Sequence, residues 1–83
     1  MLFERYLSNM SSERFAYACT LIELVKRGYR RIDAKKMIAK SDLMARLRFD
    51  SVFFFHYEED QWADWVIEDC KYSGDYIAPC RAA

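Results

Sequence analysis

A chain of 83 residues, 53% apolar and carrying thirteen basic and thirteen acidic side chains, has room for one hydrophobic core and no net charge. Apolar content at this level excludes a disordered polyelectrolyte, and two glycines with one proline exclude a collagen-like or Gly/Pro-rich repeat. Neutrality also leaves no whole-molecule field to hold nucleic acid or anionic lipid at a distance.

In chain order, residues 2–8 can form two turns of helix with Phe3, Tyr6 and Leu7 inward, a segment too short to persist in water unless it docks. Ser11 and Ser12 supply hydroxyls that cap a first strong helix running to about Arg27. Its apolar residues Phe15, Cys19, Ile22 and Val25 recur at steps of four, three and three, which predicts a buried face widened by Ala18. Lys26 and Arg27 complement the negative end of the helix dipole, and Gly28 is free to take a left-handed turn. Asp33 reads as the next cap, with Ile32 and Met37 closing a hydrophobic staple around a short helix over 34–40. Ser41 or Asp42 caps a third segment, with Leu43, Met44 and Leu47 on one side, that ends near Phe49.

Asp50 and Ser51 offer a fresh cap before the continuous apolar run over 52–57, whose periodicity fits a buried strand and a buried helix equally. A strand needs a partner, and the stretches 29–32 and 76–78 are too short and weak to supply one, so a helix is expected. The last helix is predicted over 60–72, with Trp62, Trp65, Val66 and Cys70 as its apolar face and Gly74 as its terminator. The expected architecture is all-α: a compact single-domain bundle of four or five mostly short helices over residues 1–74, followed by a tail over 75–83. Phe15, Ile22, Val25, Met37, Leu47, Trp65 and Val66 are expected to share one core.

Met1-Leu2-Phe3-Glu4-Arg5 lacks the basic start and apolar stretch of a secretory signal, and no apolar run approaches the ~18 residues of a membrane span. Cys19, Cys70 and Cys80 form an odd set without Cys-x-x-Cys spacing, which suits reduced thiols. A cytoplasmic protein without a membrane partner is expected.

Charge is unevenly laid out. Between positions 26 and 48 nine basic residues stand against two acids, for a net of +7, and between 50 and 75 eight acids stand against Lys71 alone, for a net of −7. Either the halves pair across the fold through surface ion pairs worth ~0–1 kcal/mol each, or they present complementary faces to a partner. That partner is another protein or a second copy of this chain. Arg27, Arg30, Arg31, Lys35 and Lys36 are the candidate basic docking residues. They also surround a short helix, a tight turn and a second helix, the outline of a helix-turn-helix, so a nucleic-acid-associated regulator holding phosphate through 26–40 is the alternative reading. Against it stand a turn at 40–42 without glycine, a short apolar segment over 43–49, and the nearby acids, which repel phosphate.

Aromatic residues crowd the second half: Phe49, Phe53, Phe54, Phe55, Tyr57, Trp62, Trp65, Tyr72 and Tyr76. Three consecutive phenylalanines on a helix diverge by about 100° each, so Phe53, Phe54 and Phe55 cannot share one buried face. Together with Glu58, Glu59, Asp60 and Trp62 they form a candidate docking surface, apolar at the centre and charged at the rim. His56 is the sole histidine and belongs to no nucleophile motif, phosphate-cradling loop or His-x-x-x-His pair. The spacing of His56, Cys70 and Cys80 is far from a closed zinc site, and Glu58, Glu59, Asp60 and Asp64 lack the alternating ligands and central glycine of a calcium loop. A small non-enzymatic protein-interaction domain of adaptor or inhibitor type, with no cofactor, is therefore expected, and the size suits a microbial, phage or mobile-element protein.

Overall fold

The computed structural model describes residues 11–80; the helix expected over 2–8 lies outside them. Five helices follow in order: α1 Ser12–Lys26, α2 Arg31–Lys40, α3 Leu43–Phe49, α4 Ser51–Phe55 and α5 Glu59–Ser73. Among the described residues there is no strand, and the run over 52–57 is largely helical, as expected. No helix among them is long and apolar enough to cross a membrane.

Local chemistry sets most boundaries. Ser11 is extended and its Oγ accepts the Arg14 N–H at 3.1 Å, satisfying one of the donors a helix start leaves open. Asp50 does the same for Phe53 at 3.0 Å, so α4 restarts one residue after α3 ends. At the far end of α5, Gly74 sits at φ 84° and the Asp75 N–H closes on the Cys70 carbonyl at 2.8 Å. A Cβ at Gly74 would meet nothing within 4 Å, so glycine is required there by backbone conformation and not by crowding.

Two expectations need correction. Asp33 does not cap α2, which begins at Arg31 after an extended Arg30. The Asp33 carboxylate lies buried in the first turn, held by the Arg30 Nε–H at 2.9 Å and favoured by the positive end of the helix dipole. Ile32 is exposed and closes no staple. The buried face of α1 is also not the one its large apolar residues mark: Ala16, Thr20 and Leu24 are fully enclosed, whereas Phe15 is exposed and Ile22 is 56% exposed. Small Ala16 and Thr20 let the α1 axis approach α2 and α5, the helices it packs against. Thr20 can be buried because its hydroxyl donates to the Ala16 carbonyl at 2.7 Å.

Helices α1, α2 and α5 pack on one another, and α3 lies across α1 and α5. The core comprises Ala16 and Leu24 of α1, Tyr29, Ala34, Met37 and Ile38 in and before α2, Leu43 and Leu47 of α3, Phe54 of α4, and Trp62, Ala63, Val66 and Cys70 of α5. Met37, Leu47 and Val66 are therefore core as expected, and Trp65 packs partly buried against it. Beyond α5 the chain turns back over the bundle. The hydroxyls of Tyr29 and Tyr76 meet at 3.2 Å, Ile77 packs on the core, and the Cys80 N–H donates to the Gly28 carbonyl at 3.1 Å.

Replacing Leu24 with alanine should cost ~2–5 kcal/mol in urea unfolding, whereas Ile22→Ala should cost less than about 1 kcal/mol. The reverse order would restore the face marked by Phe15 and Ile22.

Burial raises the Tyr29 hydroxyl pKa above the tyrosine range, with the Tyr76 hydroxyl adding to the effect, and burial likewise raises the Cys70 thiol, helped by Asp75 and Asp69. The fold thus holds both groups neutral, and the unfolded chain releases these protons first. Their contribution is intact below the unfolded pKa values and is lost as pH rises from there through the raised folded values, from about pH 9 upward. The melting temperature should fall on that alkaline limb, and less steeply in Tyr29→Phe. Equal slopes would remove Tyr29 from the cause.

Candidate interaction surface

The three phenylalanines of α4 diverge as helical geometry demands. Phe54 points inward, where its ring stacks on Trp62 at 4.6 Å between centroids, and the Trp62 Nε1–H donates to the Phe54 carbonyl at 3.0 Å. Phe55 turns to Phe15 and Trp62, with centroids at 6.4 and 5.5 Å. Phe53 turns the other way and lies nearly parallel to Trp65 at 6.4 Å, with Tyr57 edge-on to both rings. Phe53 is 55% exposed, and beside it Phe49 at the end of α3 and Val52 at the start of α4 are 92% and 83% exposed.

Between Phe49 and Phe53 opens a cleft of about 250 Å³ lined by Arg46, Phe49, Asp50, Phe53, Phe54 and Trp65. Its one cation is anchored, with the Arg46 guanidinium 5.3 Å from the Trp65 ring centroid and its Nη2–H on the Asp69 carboxylate at 3.0 Å. Asp69 also accepts the Asp42 N–H at 3.0 Å, so it ties the turn before α3 to α5.

Two expected members of the aromatic-acidic surface are corrected here: Phe54 and Trp62 are enclosed in the core, so neither ring reaches a partner. Glu58, Glu59 and Asp60 are exposed at the start of α5, immediately after Tyr57. Phe53 and Phe55 both reach solvent but belong to different sides of α4. Phe49 lines the cleft beside Phe53 and Trp65 without having been assigned to the surface. A signal for Phe49 was present: Leu43 and Leu47 define the buried side of α3, and a residue two positions beyond Leu47 stands about 200° away.

The basic residues divide as well. Arg27 is consumed internally, its Nε–H on Glu23 at 3.1 Å, its Nη1–H on Asp64 at 2.7 Å and its Nη2–H on the Asp60 carbonyl at 2.9 Å. Arg30 holds Asp33. Arg31, Lys35 and Lys36 stay exposed on α2 and make no ion pair among the described residues. Arg27 with Asp64 and Arg46 with Asp69 join the basic half of the chain to the acidic half, and Arg48 pairs with Glu13. Internal pairing and a free basic face therefore coexist.

His56 caps the end of α4 with its ring edge-on to Tyr57 at 5.5 Å. Among the described residues no group of three or more His, Cys, Asp or Glu side chains could hold a metal ion, and Cys19, Cys70 and Cys80 are free thiols. Comparison of the chain with protein-family models, with curated proteins and with solved structures finds no match.

Arg27→Ala should cost about 1–2 kcal/mol in chemical unfolding, because it leaves Asp64 and Glu23 without their shared partner, whereas Arg31→Ala should stay within about 0.5 kcal/mol. Equal effects would return Arg27 to the solvent face.

Proposed function

We propose that this chain is a small non-enzymatic protein-interaction domain that docks a partner through the aromatic face at the α3–α4 junction. The observation that carries the reading is the exposure of Phe49 and Phe53 on the walls of one apolar cleft. A contiguous apolar patch of this kind costs solubility, and on soluble proteins it marks a contact surface. Phe53, packed against Trp65 and Tyr57, loses little conformational freedom on binding, which makes it an effective anchor. Glu58, Glu59 and Asp60 at one end, and Arg31, Lys35 and Lys36 on α2, supply charge that raises encounter rates and fixes register.

The alternative, a nucleic-acid-associated regulator, draws support from Arg31, Lys35 and Lys36. It stands second because α3, the helix that would enter a groove, is seven residues long and its two arginines already bond Asp69 and Glu13.

A photo-crosslinking residue placed at Phe49, and as a control at the exposed Tyr72, separates these readings in extracts of the native host. Crosslinks to a discrete protein from position 49, absent from position 72 and reduced at least about tenfold by Phe53→Ser, are expected. No protein adduct from position 49, together with duplex DNA binding abolished by Lys35→Glu and Lys36→Glu, would overturn the reading in favour of the alternative.

A further inference from the structure

The same face has the features of a surface that recognises itself. Resting on the reading above, we infer that the partner seated on it is a second copy of this chain, paired about a two-fold axis with Phe49 of each copy entering the other's cleft.

Three observations point to a copy and not to an unrelated partner. First, knob and hole are neighbours: Phe49 projects with 92% of its surface exposed, yet it also lines a cleft of about 250 Å³. In a two-fold pair the same patch serves both molecules, so a residue on the wall of one cleft is placed to fill the other. An apolar cavity of ~150 Å³ already accepts a benzene ring, so this cleft has room for a phenylalanine.

Second, the cleft carries one charge of each sign, Arg46 and Asp50, four positions apart along the chain. Arg46 keeps its Nη2 bond to Asp69 and Asp50 its Oδ1 cap on Phe53, so it is the remaining guanidinium N–H groups of one copy and the second carboxylate oxygen of the other that a two-fold axis sets toward each other. A patch of single sign would repel its own copy, whereas this one is self-complementary. The thirteen basic and thirteen acidic residues of the chain cancel, so two copies also meet without long-range repulsion.

Third, the area is right for a reversible pair. A phenylalanine offers ~150–250 Å². On that scale the exposed parts of Phe49 and Phe53, the exposed rings that line the cleft, amount to roughly 300 Å² per copy, or about 600 Å² for the pair. That apolar centre is about half of the ~1,200 Å² at which stable specific interfaces begin, which suits a weak, reversible pair. Monomer in dilute solution and dimer when concentrated are therefore expected.

Sedimentation equilibrium of the full chain from ~1 to ~500 µM tests this directly. The parent should shift from monomer to dimer and no further. Phe49→Ser, at an exposed position, should keep the parent's helical circular dichroism and weaken association at least about tenfold. Tyr72→Ser should associate like the parent. A parent that stays monomeric at ~500 µM overturns the second copy as partner. Crosslinks from position 49 to a different protein would then leave the docking face standing, and their absence would remove both readings. A dimer unaffected by Phe49→Ser also overturns the proposal. So does a continuous series of larger species, which indicates charge-driven head-to-tail chains.

Discussion

Phe54 and Trp62 meet twice, once ring on ring and once through the hydrogen bond from the indole to the Phe54 carbonyl. Helix α4 spans five residues, too few to persist by its own backbone bonds, and no other side chain of α4 is buried. Its orientation is therefore set by this double contact with α5. Once Phe54 points inward, the 100° step of the helix decides where its neighbours go. Phe53 is carried toward Trp65 and Tyr57, Phe55 toward Phe15, and the cleft between Phe49 and Phe53 follows from the first of these choices.

The rest of the bundle supplies a rigid base for that arrangement. Small residues on α1 bring its axis close to α2 and α5, and the hydroxyl of Thr20 is satisfied within its own helix, so the close approach leaves no unpaired polar group. Around this centre the opposite charges of the two halves are partly spent on fixing the helices. Asp69 is the clearest case, since it receives both the Asp42 amide and the Arg46 guanidinium and so holds the start and middle of α3 against α5. Arg46 in turn lies over Trp65, which extends the same chain of contacts to the floor of the cleft. Cation, indole and the Phe53 ring thus form one connected cluster, and the Phe53 side of the cleft is ordered by what lies beneath it.

Much of the fold could be read from local chemistry. Ser11, Asp50 and Gly74 act within a few residues of themselves, so their capping roles are visible without knowledge of the tertiary structure. The face of α1 was hidden for the opposite reason: what selects Ala16 and Thr20 is the distance to neighbouring helices, while apolar periodicity counts Phe15 and Ile22. Asp33 misled because an aspartate serves equally as a cap and as a first-turn anion, and only Arg30 at 2.9 Å separates the two roles. At the candidate surface, helix geometry required the phenylalanines to diverge. Which one turned inward depended on Trp62, eight residues further on, and no local pattern encodes that choice. Arg27 looked free for the same reason, since Asp64 lies thirty-seven positions away.

The contact on which the aromatic face depends has a direct observable in the Trp62 indole proton. If that proton is held by the Phe54 carbonyl inside the core, its hydrogen exchange should require opening of the whole domain, with a protection free energy close to that of global unfolding. Exchange of the Trp62 indole at the rate of a solvent-exposed indole, in a protein whose core amides stay protected, would contradict the account by showing α4 released from α5 while the bundle remains folded.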